Sequence, residues 1–353
     1  MTEPIHSLRK LKYNLTQTLY DVEQSIAEIS GNKPRILFVA PHLSTGGMPQ
    51  YLYKCIECLL PFSEIFCVEY NNLSDQFTVQ RERIQNLLGE NYFRLDSEDK
   101  SEFLEIINRV YPDVIHFQDF VEFFLGNEMC EKIYIPNRPW CIFETCHSSN
   151  NKPSDKFWCP DKIVMVNKWM LKVFENSGFN LDLLEYPIEN FESIGKEKAR
   201  NLLGLDPDKK HVINVGLFTQ GKNQGELIEF AREMTHLPIE FHFVGNLACN
   251  FQEYWEPILQ NVPENCRVWG ERSDTDLFFQ AADLFVFNSV WELNPIVIKE
   301  SLSWKLPIMM RRLPSYMDDY DNNPLVHYFS SDVEKSGKAH NIRLIQEILG
   351  FNS

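Results

Sequence analysis

The type of fold is set by one stretch, which reads Ile36-Leu37-Phe38-Val39-Ala40-Pro41-His42-Leu43-Ser44-Thr45-Gly46-Gly47. Its first five residues are all apolar, and an unbroken apolar run is typical of a strand that helices cover on both faces. The Gly46-Gly47 pair follows, and glycine lets the backbone take positive φ or approach a ligand closely. Residues 48–60 are long enough for a crossover helix, so the stretch is predicted to form a strand, a turn and a helix.

The same alternation of apolar runs and helical segments continues along the chain in two series. Strands that alternate with helices predict parallel sheets, so the two series predict two Rossmann-like doubly wound α/β domains. The further runs lie at 64–68, 113–117, 140–143 and 162–166 in the first series, and at 212–216, 239–245, 267–270, 283–287 and 307–310 in the second.

We expect four segments: an N-terminal helical extension in 1–33, a first Rossmann-like domain in 34–186, a second in 187–330 and a C-terminal helix in 331–353. The extension is predicted because leucines recur at helical spacing from Leu8 onwards. The stretch 187–200, rich in Glu and Lys, is interpreted as a linker. Ligands of open α/β sheets bind at the carboxyl ends of strands, so two such domains are expected to face each other across a cleft.

Charge and composition exclude several classes of function. The chain has 353 residues and a net charge of −16, which argues against a nucleic-acid partner. A small basic cluster, Arg9, Lys10 and Lys12, leaves contact with a membrane surface open. A bilayer-spanning run of about 20 apolar residues does not occur in the sequence. Nine scattered cysteines and the lack of a signal peptide predict a cytoplasmic protein with reduced thiols.

The most specific motif reads Glu292-Leu293-Asn294-Pro295-Ile296-Val297-Ile298-Lys299-Glu300 and follows the predicted strand 283–287. Asn294 is predicted to cap a helix with Pro295 at its first position. The first turn of such a helix offers backbone N–H groups and the positive end of the helix dipole to a phosphate. Carboxylates accept hydrogen bonds from hydroxyls, so Glu292 and Glu300 suit a sugar or a ribose.

This motif, with Ala281-Ala282-Asp283 and Asn288-Ser289 before it and Leu306-Pro307 after it, resembles the C-terminal signature of retaining GT-B glycosyltransferases, family four in particular. The resemblance implies that Glu300 binds the ribose of a nucleotide, that Glu292 lies by the donor sugar, and that the backbone at Leu293 and Asn294 contacts the donor. Two features depart from the family pattern. Asn288 replaces a proline, and Leu293-Asn294-Pro295 replaces Gly-Phe-Gly, so that Pro295 has no N–H to donate.

Two further segments fit the same resemblance on the donor side. Gly216 to Lys222 resembles the family's phosphate-binding turn, with Lys222 as its lysine, which can reach a diphosphate as a point charge. A second cation is not evident there, because Gly221 precedes Lys222. The resemblance also implies that Glu271 and Arg272 contact the nucleotide, and we expect Trp269 in the core.

The segments of the first domain carry the remaining candidates. The resemblance implies that Gly46 and Gly47 lie near the donor phosphate and the acceptor. His147, in Glu144-Thr145-Cys146-His147, would face the sugar and bond to it or stabilise charge. His116 and Asp119 resemble another family segment, for which a structural role and a substrate contact both stay open. A Cys146–His147 nucleophile is disfavoured, because neighbours on an extended strand point in opposite directions.

Together these expectations describe a glycosyltransferase that moves a sugar from a nucleotide-diphosphate sugar to a saccharide or glycoconjugate acceptor with retention. The predicted catalytic residues are His147, Lys222 and Glu292. The family works without a metal, and Lys222 with the helix dipole can replace one, so we expect no metal and no cofactor besides the donor substrate. Two alternatives stay open: a sugar-nucleotide epimerase on the same fold and a non-catalytic protein that binds sugar nucleotides.

Overall fold

The structure is a computed structural model that describes residues 33–44, 46–71, 79–95, 100–186, 188, 192–330 and 335–351. The chain divides into two compact units, Met1–Pro187 and Ile188–Ser353, which are called unit 1 and unit 2 below. The helix expected in the first 33 residues lies outside the described residues, apart from Lys33. Within the described ranges, we find no helix with both the length and the apolar character needed to cross a bilayer.

Unit 1 contains a seven-stranded parallel sheet in the order β3-β2-β1-β4-β5-β6-β7. The quoted apolar stretch forms its first strand and the following helix, as predicted. Its strands are β1 (Arg35–Ala40), β2 (Glu64–Glu69), β3 (Tyr92–Arg94), β4 (Val114–Gln118), β5 (Cys141–Cys146), β6 (Lys162–Met165) and β7 (Leu181–Leu183). Its helices are α1 (Gly47–Leu59), α2 (Val79–Leu88), α3 (Glu102–Val110), α4 (Asn127–Ile133) and α5 (Lys168–Phe174).

The helices of unit 1 cover the sheet with apolar stripes, and α3 shows how the sequence does this. Phe103, Ile106, Ile107 and Val110 recur at spacings of three and four, and all four are buried in one core cluster with strand residues. Each such side chain contributes about 1.5–3 kcal/mol when it is removed from water. The helix ends where Tyr111 takes a left-handed conformation with φ of 47°.

Unit 2 contains a six-stranded parallel sheet in the order β10-β9-β8-β11-β12-β13. Its strands are β8 (Lys210–Val215), β9 (Ile239–Val244), β10 (Cys266–Gly270), β11 (Leu284–Phe287), β12 (Ile308–Met310) and β13 (Val326–Tyr328). Its helices are α6 (Lys196–Leu203), α7 (Gln224–Glu233), α8 (Gln252–Leu259), α9 (Thr275–Ala281), α10 (Ile296–Ser303), α11 (Met317–Tyr320) and α12 (Lys335–Ile348).

Two local predictions in unit 2 were wrong. The expected linker 187–200 includes the start of α6, a helix that packs on the unit because Ala199 and Leu203, four residues apart, are both buried against the core. The helix of the 292–300 motif begins at Ile296, one residue later than expected. Pro295 is its N-cap with an extended ψ of 112°, so Asn294 does not cap it.

Both sheets reverse their strand order at one point, between β1 and β4 in unit 1 and between β8 and β11 in unit 2. Loops that leave the carboxyl ends of these strands run in opposite directions and open a crevice in each sheet, where ligands of open α/β folds bind. The predicted segments of both units follow these strands: His42 to Gly47 follows β1, the Lys222 turn follows β8, and the Glu292 loop follows β11.

Candidate functional site

Lys222 and Glu292, two of the predicted catalytic residues, meet at the carboxyl edge of unit 2. Lys222 lies in the turn between β8 and α7, and its ammonium donates a hydrogen bond to Glu292 Oε1 in the loop after β11. The Lys222 side chain is 29% exposed and that of Glu292 is 12% exposed. Their ion pair also lies over an aromatic face, since Lys222 Nζ is 5.5 Å from the centre of the Phe287 ring. The predicted phosphate cation is therefore in contact with the predicted sugar-binding carboxylate.

Glycine is required where the turn after β8 approaches the end of β9. A Cβ atom on Gly245 would lie 1.9 Å from the carbonyl oxygen of Gly216, which no side chain permits. Gly216 in turn lies beside the Lys222 side chain, because a Cβ there would be 3.5 Å from Lys222 Cδ. The structure thus brings the predicted Gly216 and Lys222 together at the carboxyl end of β8.

The 292–300 motif is anchored to the rest of unit 2 by its backbone. Ser315 Oγ donates a hydrogen bond to the Glu292 carbonyl oxygen at 2.7 Å. Leu293 is buried, with 7% exposure, whereas Asn294 and Glu300 are half-buried. Glu300 lies in α10, with its side chain about one turn beyond the start of that helix. The loop therefore holds Glu292 in place while Glu300 stays partly accessible.

Arg311 is a cation of this region that the sequence analysis missed. It directly follows β12, and its Nη2 donates to both carboxylate oxygens of Glu226 at 2.6 Å. Its Nε donates to the Asn288 carbonyl oxygen at 3.2 Å. Arg311 is far from Lys222 in the sequence, and its strand β12 lies beside β11 only once the sheet has formed. The sequence did carry a signal, because Arg311 directly follows the predicted strand 307–310 and so lies at its carboxyl end.

The predicted nucleotide contacts lie at the end of β10. Arg272 donates to both oxygens of Asp274, at 2.8 and 2.6 Å, and is exposed enough to contact a ligand. Its guanidinium lies 5.7 Å from the centre of the Trp269 ring, and Trp269 is half-buried against the core. Gly245 N–H donates to the Gly270 carbonyl at 2.8 Å, which ties the segment before Glu271 to the end of β9. Glu271 is half-buried beside it.

In unit 1, His147 is a neutral member of a hydrogen-bonded group. Its Nε2 lies 3.2 Å from Gln118 Oε1 and its Nδ1 lies 2.5 Å from the Tyr186 hydroxyl oxygen. Because an amide oxygen only accepts, Nε2 carries the proton and Nδ1 accepts from Tyr186. Burial lowers the pKa of His147 to about 3, so the ring stays uncharged near neutral pH. His147 can therefore donate or accept hydrogen bonds but does not supply positive charge.

Asp119 orders the loop that carries His147. Its φ of 116° is unusual for a residue with a side chain, and strain of this kind concentrates at functional sites. Asp119 Oδ1 accepts from Phe120 N–H at 2.9 Å and from Asn151 Nδ2 at 3.2 Å. Asn151 Nδ2 also lies 3.2 Å from Cys146 Sγ, and burial raises the pKa of that thiol to about 12. Cys146 is therefore a protonated core thiol, in agreement with the rejection of a Cys–His nucleophile.

His116 and the glycine pair complete the unit 1 candidates. His116 Nε2 lies 2.7 Å from Thr145 Oγ1, and burial lowers its pKa to about 3, which favours the structural role over a substrate contact. Gly46 is exposed, with φ of 144°, a conformation suited to glycine. Gly47 is exposed as the first residue of α1. Both glycines are therefore accessible at the carboxyl end of β1, the place where they were predicted to meet a ligand.

Among the described residues, one group of possible metal ligands lies close together: His211, Glu240 and His242. Trp269 Nε1 donates to His242 Nδ1 at 3.2 Å, which leaves the His242 proton on Nε2, 2.9 Å from His211 Nδ1. His211 Nε2 then donates to the Asp206 carbonyl at 2.8 Å. Every ring nitrogen of the two histidines has a partner in this relay. A metal on His242 Nε2 would place the His242 proton on Nδ1, where it would face the N–H of Trp269. The donor set fits a hydrogen-bonded relay better than a metal site.

Residues 195–322 match the family model described as "Glycosyl transferases group 1". The chain is also 32% identical over 146 residues to the processive diacylglycerol alpha-glucosyltransferase of Acholeplasma laidlawii, over 40% of this chain and 42% of that protein. It is 28% identical over 173 residues to the alpha-galactosylglucosyldiacylglycerol synthase of Streptococcus pneumoniae, over 44% of this chain and 45% of that protein. The alignments thus span less than half the length of these two relatives.

The fold is similar to that of HepE from Anabaena, solved in complex with UDP-glucose. The TM-score is 0.67 with 13% identity, over 89% of this chain and 90% of that one. The comparisons confirm the expected resemblance to glycosyltransferases and the expected class of two Rossmann-like α/β domains with the GT-B fold. The family match includes Lys222, Glu292 and Arg311, which places the paired charges inside the matched segment.

Proposed function

We propose that the protein is a GT-B glycosyltransferase that uses a nucleotide-diphosphate sugar as its donor, with a UDP-sugar as the first candidate. The observation that carries the proposal is the ion pair between Lys222 and Glu292 at the switch point of unit 2. One member suits a diphosphate and the other suits the hydroxyls of a sugar. The UDP-glucose bound by HepE, a protein of similar fold, supports the choice of base.

When the donor binds, it replaces the contact between Lys222 and Glu292 with a contact to each of them. Lys222 turns from Glu292 to the diphosphate, and Glu292 then accepts hydrogen bonds from the donor sugar. As the glycosidic bond breaks, negative charge grows on the leaving diphosphate, and Lys222 with the backbone N–H groups near Leu293 and Asn294 stabilises it. Glu300 holds the ribose hydroxyls, while Glu271 and Arg272 contact the rest of the nucleotide.

In unit 1, the groups that contact the sugar are uncharged. His147, with Gln118 and Tyr186 bonded to its ring, contacts the transferred sugar through hydrogen bonds. Gly46 and Gly47 allow close approach of the backbone to the substrate. The transfer proceeds with retention and without a metal or other cofactor, since Lys222 supplies the positive charge that a metal would otherwise bring to the diphosphate.

The acceptor is a glycoconjugate with an apolar part. The two curated relatives are named for diacylglycerol glycolipids, and unit 1 offers a surface that suits such a molecule. Phe123 is 59% exposed and Phe157 is 76% exposed. Glu122 Oε1 accepts from Phe157 N–H and from Lys156 Nζ, both at 2.8 Å, which fixes the two phenylalanines near each other. The protein works on the cytoplasmic side, in contact with the lipid surface that holds the acceptor.

A thermal-shift panel of UDP-, GDP- and ADP-sugars tests the donor, since a ligand at about 100 times its Kd adds about 2.7 kcal/mol of stability. The stabilising donor is then incubated with a short-chain glycolipid or with a free saccharide. We expect transfer, with the glycolipid as the better acceptor. Conversion of the donor sugar without an acceptor would indicate an epimerase. Binding with neither transfer nor donor hydrolysis would indicate a non-catalytic binding protein.

A further inference from the structure

Lys222 lies in a turn whose two flanking carbonyl groups are both bonded from the loop after β11. Asn288 Nδ2 donates to the Asn223 carbonyl oxygen at 2.6 Å. Val290 N–H donates to the Gly221 carbonyl oxygen at 2.9 Å. Gly221 and Asn223 are the immediate neighbours of Lys222. The backbone on either side of the lysine is therefore fixed to the loop that leads to Glu292.

Asn288 is itself held from two directions. Its side chain is fully buried, and its Oδ1 accepts from Asn214 Nδ2 at 3.4 Å. Its backbone carbonyl accepts from Arg311 Nε at 3.2 Å. A buried amide with partners at both ends has little freedom to turn, because each lost hydrogen bond would leave a buried polar group unsatisfied. Asn288 therefore presents its Nδ2 in one fixed direction.

Glu226 links the same residues through charge. Its Oε2 accepts from Asn223 Nδ2 at 2.8 Å and from Asn288 Nδ2 at 3.3 Å, while Arg311 Nη2 lies 2.6 Å from both carboxylate oxygens. Arg311 offsets the charge of Glu226, so the carboxylate can accept two amide donors without remaining an unpaired anion. Asn223 takes a left-handed conformation with φ of 55°, which this side-chain hydrogen bond helps to hold.

We propose that Asn288, held by Arg311 and supported by Glu226, is a positioning residue that sets the direction of Lys222 towards the donor diphosphate. The side chain of lysine is long and flexible, so its ammonium reaches one place reliably only when the backbone that carries it is fixed. A misplacement of about 1 Å at a reacting group lowers the rate by about 100-fold. The proposal rests on the proposed function, since it takes Lys222 as the diphosphate ligand.

A double-mutant cycle of Asn288→Ala with Lys222→Ala tests the proposal. Binding of UDP, inorganic pyrophosphate and uridine is measured by calorimetry for the four proteins. We expect Asn288→Ala to lower the affinity for UDP and for pyrophosphate about tenfold when Lys222 is present. In the Lys222→Ala background the loss should be less than twofold, because Asn288 acts through the lysine. Uridine affinity should stay unchanged. Equal losses in both backgrounds would overturn the positioning role.

Two further variants keep the test informative. Asn341→Ala removes another buried asparagine of unit 2, whose Oδ1 accepts from Ser330 N–H at 2.8 Å, and should lower the Tm without changing pyrophosphate affinity. Should Asn288→Ala fail to fold, Asn288→Asp keeps the shape and removes the donor, and the same loss is expected. Unchanged affinity in a folded Asn288→Asp protein would overturn the proposal. If the protein without substitutions binds pyrophosphate but not UDP, only the choice of a UDP-sugar as the donor is refuted.

Discussion

The sheets of the two units have the same strand order around the switch point, but the side chains at the carboxyl ends of their strands differ in chemistry. In unit 1, the two side chains bonded to the His147 ring are uncharged, the amide of Gln118 and the phenol of Tyr186, and the ion pair at the end of β2 joins Glu69 to Arg81. In unit 2, the corresponding loops carry charges in pairs, Lys222 with Glu292 and Arg311 with Glu226. Since the switch point is in the same place in both sheets, the backbone alone does not explain this difference.

Desolvation explains how each edge keeps its character. Burial holds the unit 1 imidazoles in their neutral forms, because a charged form would lose its water without gaining a partner. In unit 2 each of the four paired side chains has an opposite charge in contact, which offsets the cost of its partial burial. This difference supports the proposal that His147 in unit 1 contacts hydroxyls and that Lys222 in unit 2 contacts a diphosphate.

The largest effect is expected from removing the cation of unit 2. Lys222→Ala should lower kcat/KM for transfer by about 100-fold or more, because the leaving diphosphate loses its charged partner. UDP affinity should fall while uridine affinity stays the same. Lys338→Ala, which removes a lysine paired with Glu233 on the surface of the same unit at 3.2 Å, should leave both values unchanged. An equal loss for UDP and uridine would contradict the phosphate assignment.

Acid should destabilise unit 1 through its buried, uncharged His147. The pKa of His147 is about 3 in the folded protein and about 6.5 when unfolded, so the unfolded state takes up the proton first as the pH falls below 6.5. Between pH 7 and pH 5 this group should cost about 2 kcal/mol of the free energy of unfolding, measured by urea denaturation. His147→Gln should reduce that loss, whereas His236→Gln, an exposed site, should not. An unaltered pH dependence in His147→Gln would show that the ring is not held neutral.

Glu292→Gln separates the two members of the unit 2 pair. The variant frees Lys222 from its carboxylate, so the affinity for UDP, which lacks a sugar, should rise about threefold. Transfer from the UDP-sugar should fall about tenfold, because a neutral amide binds the sugar hydroxyls less strongly than a carboxylate. Calorimetry and initial rates measure the two effects, with Glu233→Gln as the surface control. A parallel fall of both quantities would exclude the exchange of partners.

The smallest effect concerns the exposed phenylalanines of unit 1. Phe123→Ser with Phe157→Ser should lower transfer to an acceptor embedded in vesicles about fivefold and leave transfer to a soluble short-chain acceptor unchanged. Leu202→Ser, a substitution of a residue of α6 in unit 2 that is 63% exposed, serves as the matched control. Equal activity of the double variant on both acceptors would remove the apolar surface from the proposal.

Sequence patterns predicted the interior of each sheet better than its edges. The apolar runs of β1 and β8 were found because a strand buried on both faces is apolar throughout. The strands β3, β7 and β13 were missed, since each has three residues, all only half-buried, and so carries little pattern. Helix α6 was missed because its buried face consists of Ala199 and Leu203 among charged residues.

The residues of the candidate site likewise fall into those that the sequence predicted and those that it missed. Lys222, Glu292 and His147 were predicted from motifs that resemble those of GT-B glycosyltransferases, and the apolar runs before them placed all three at the carboxyl ends of strands. Arg311 and the role of Asn288 were not predicted, because their contacts depend on β12 and β8 both lying beside β11. Strand neighbours are set by packing over the whole sheet and are not written in any local spacing.

The sequence by itself determined the two parallel sheets, the loops that carry the candidate site residues and the types of group they carry, because periodicity and strand ends are local properties. The tertiary structure alone decided that Lys222 pairs with Glu292, 70 residues away, and that His147 is neutral. The physical reason is that distance and desolvation depend on every neighbour a side chain acquires on folding, and most of those neighbours are distant in the sequence.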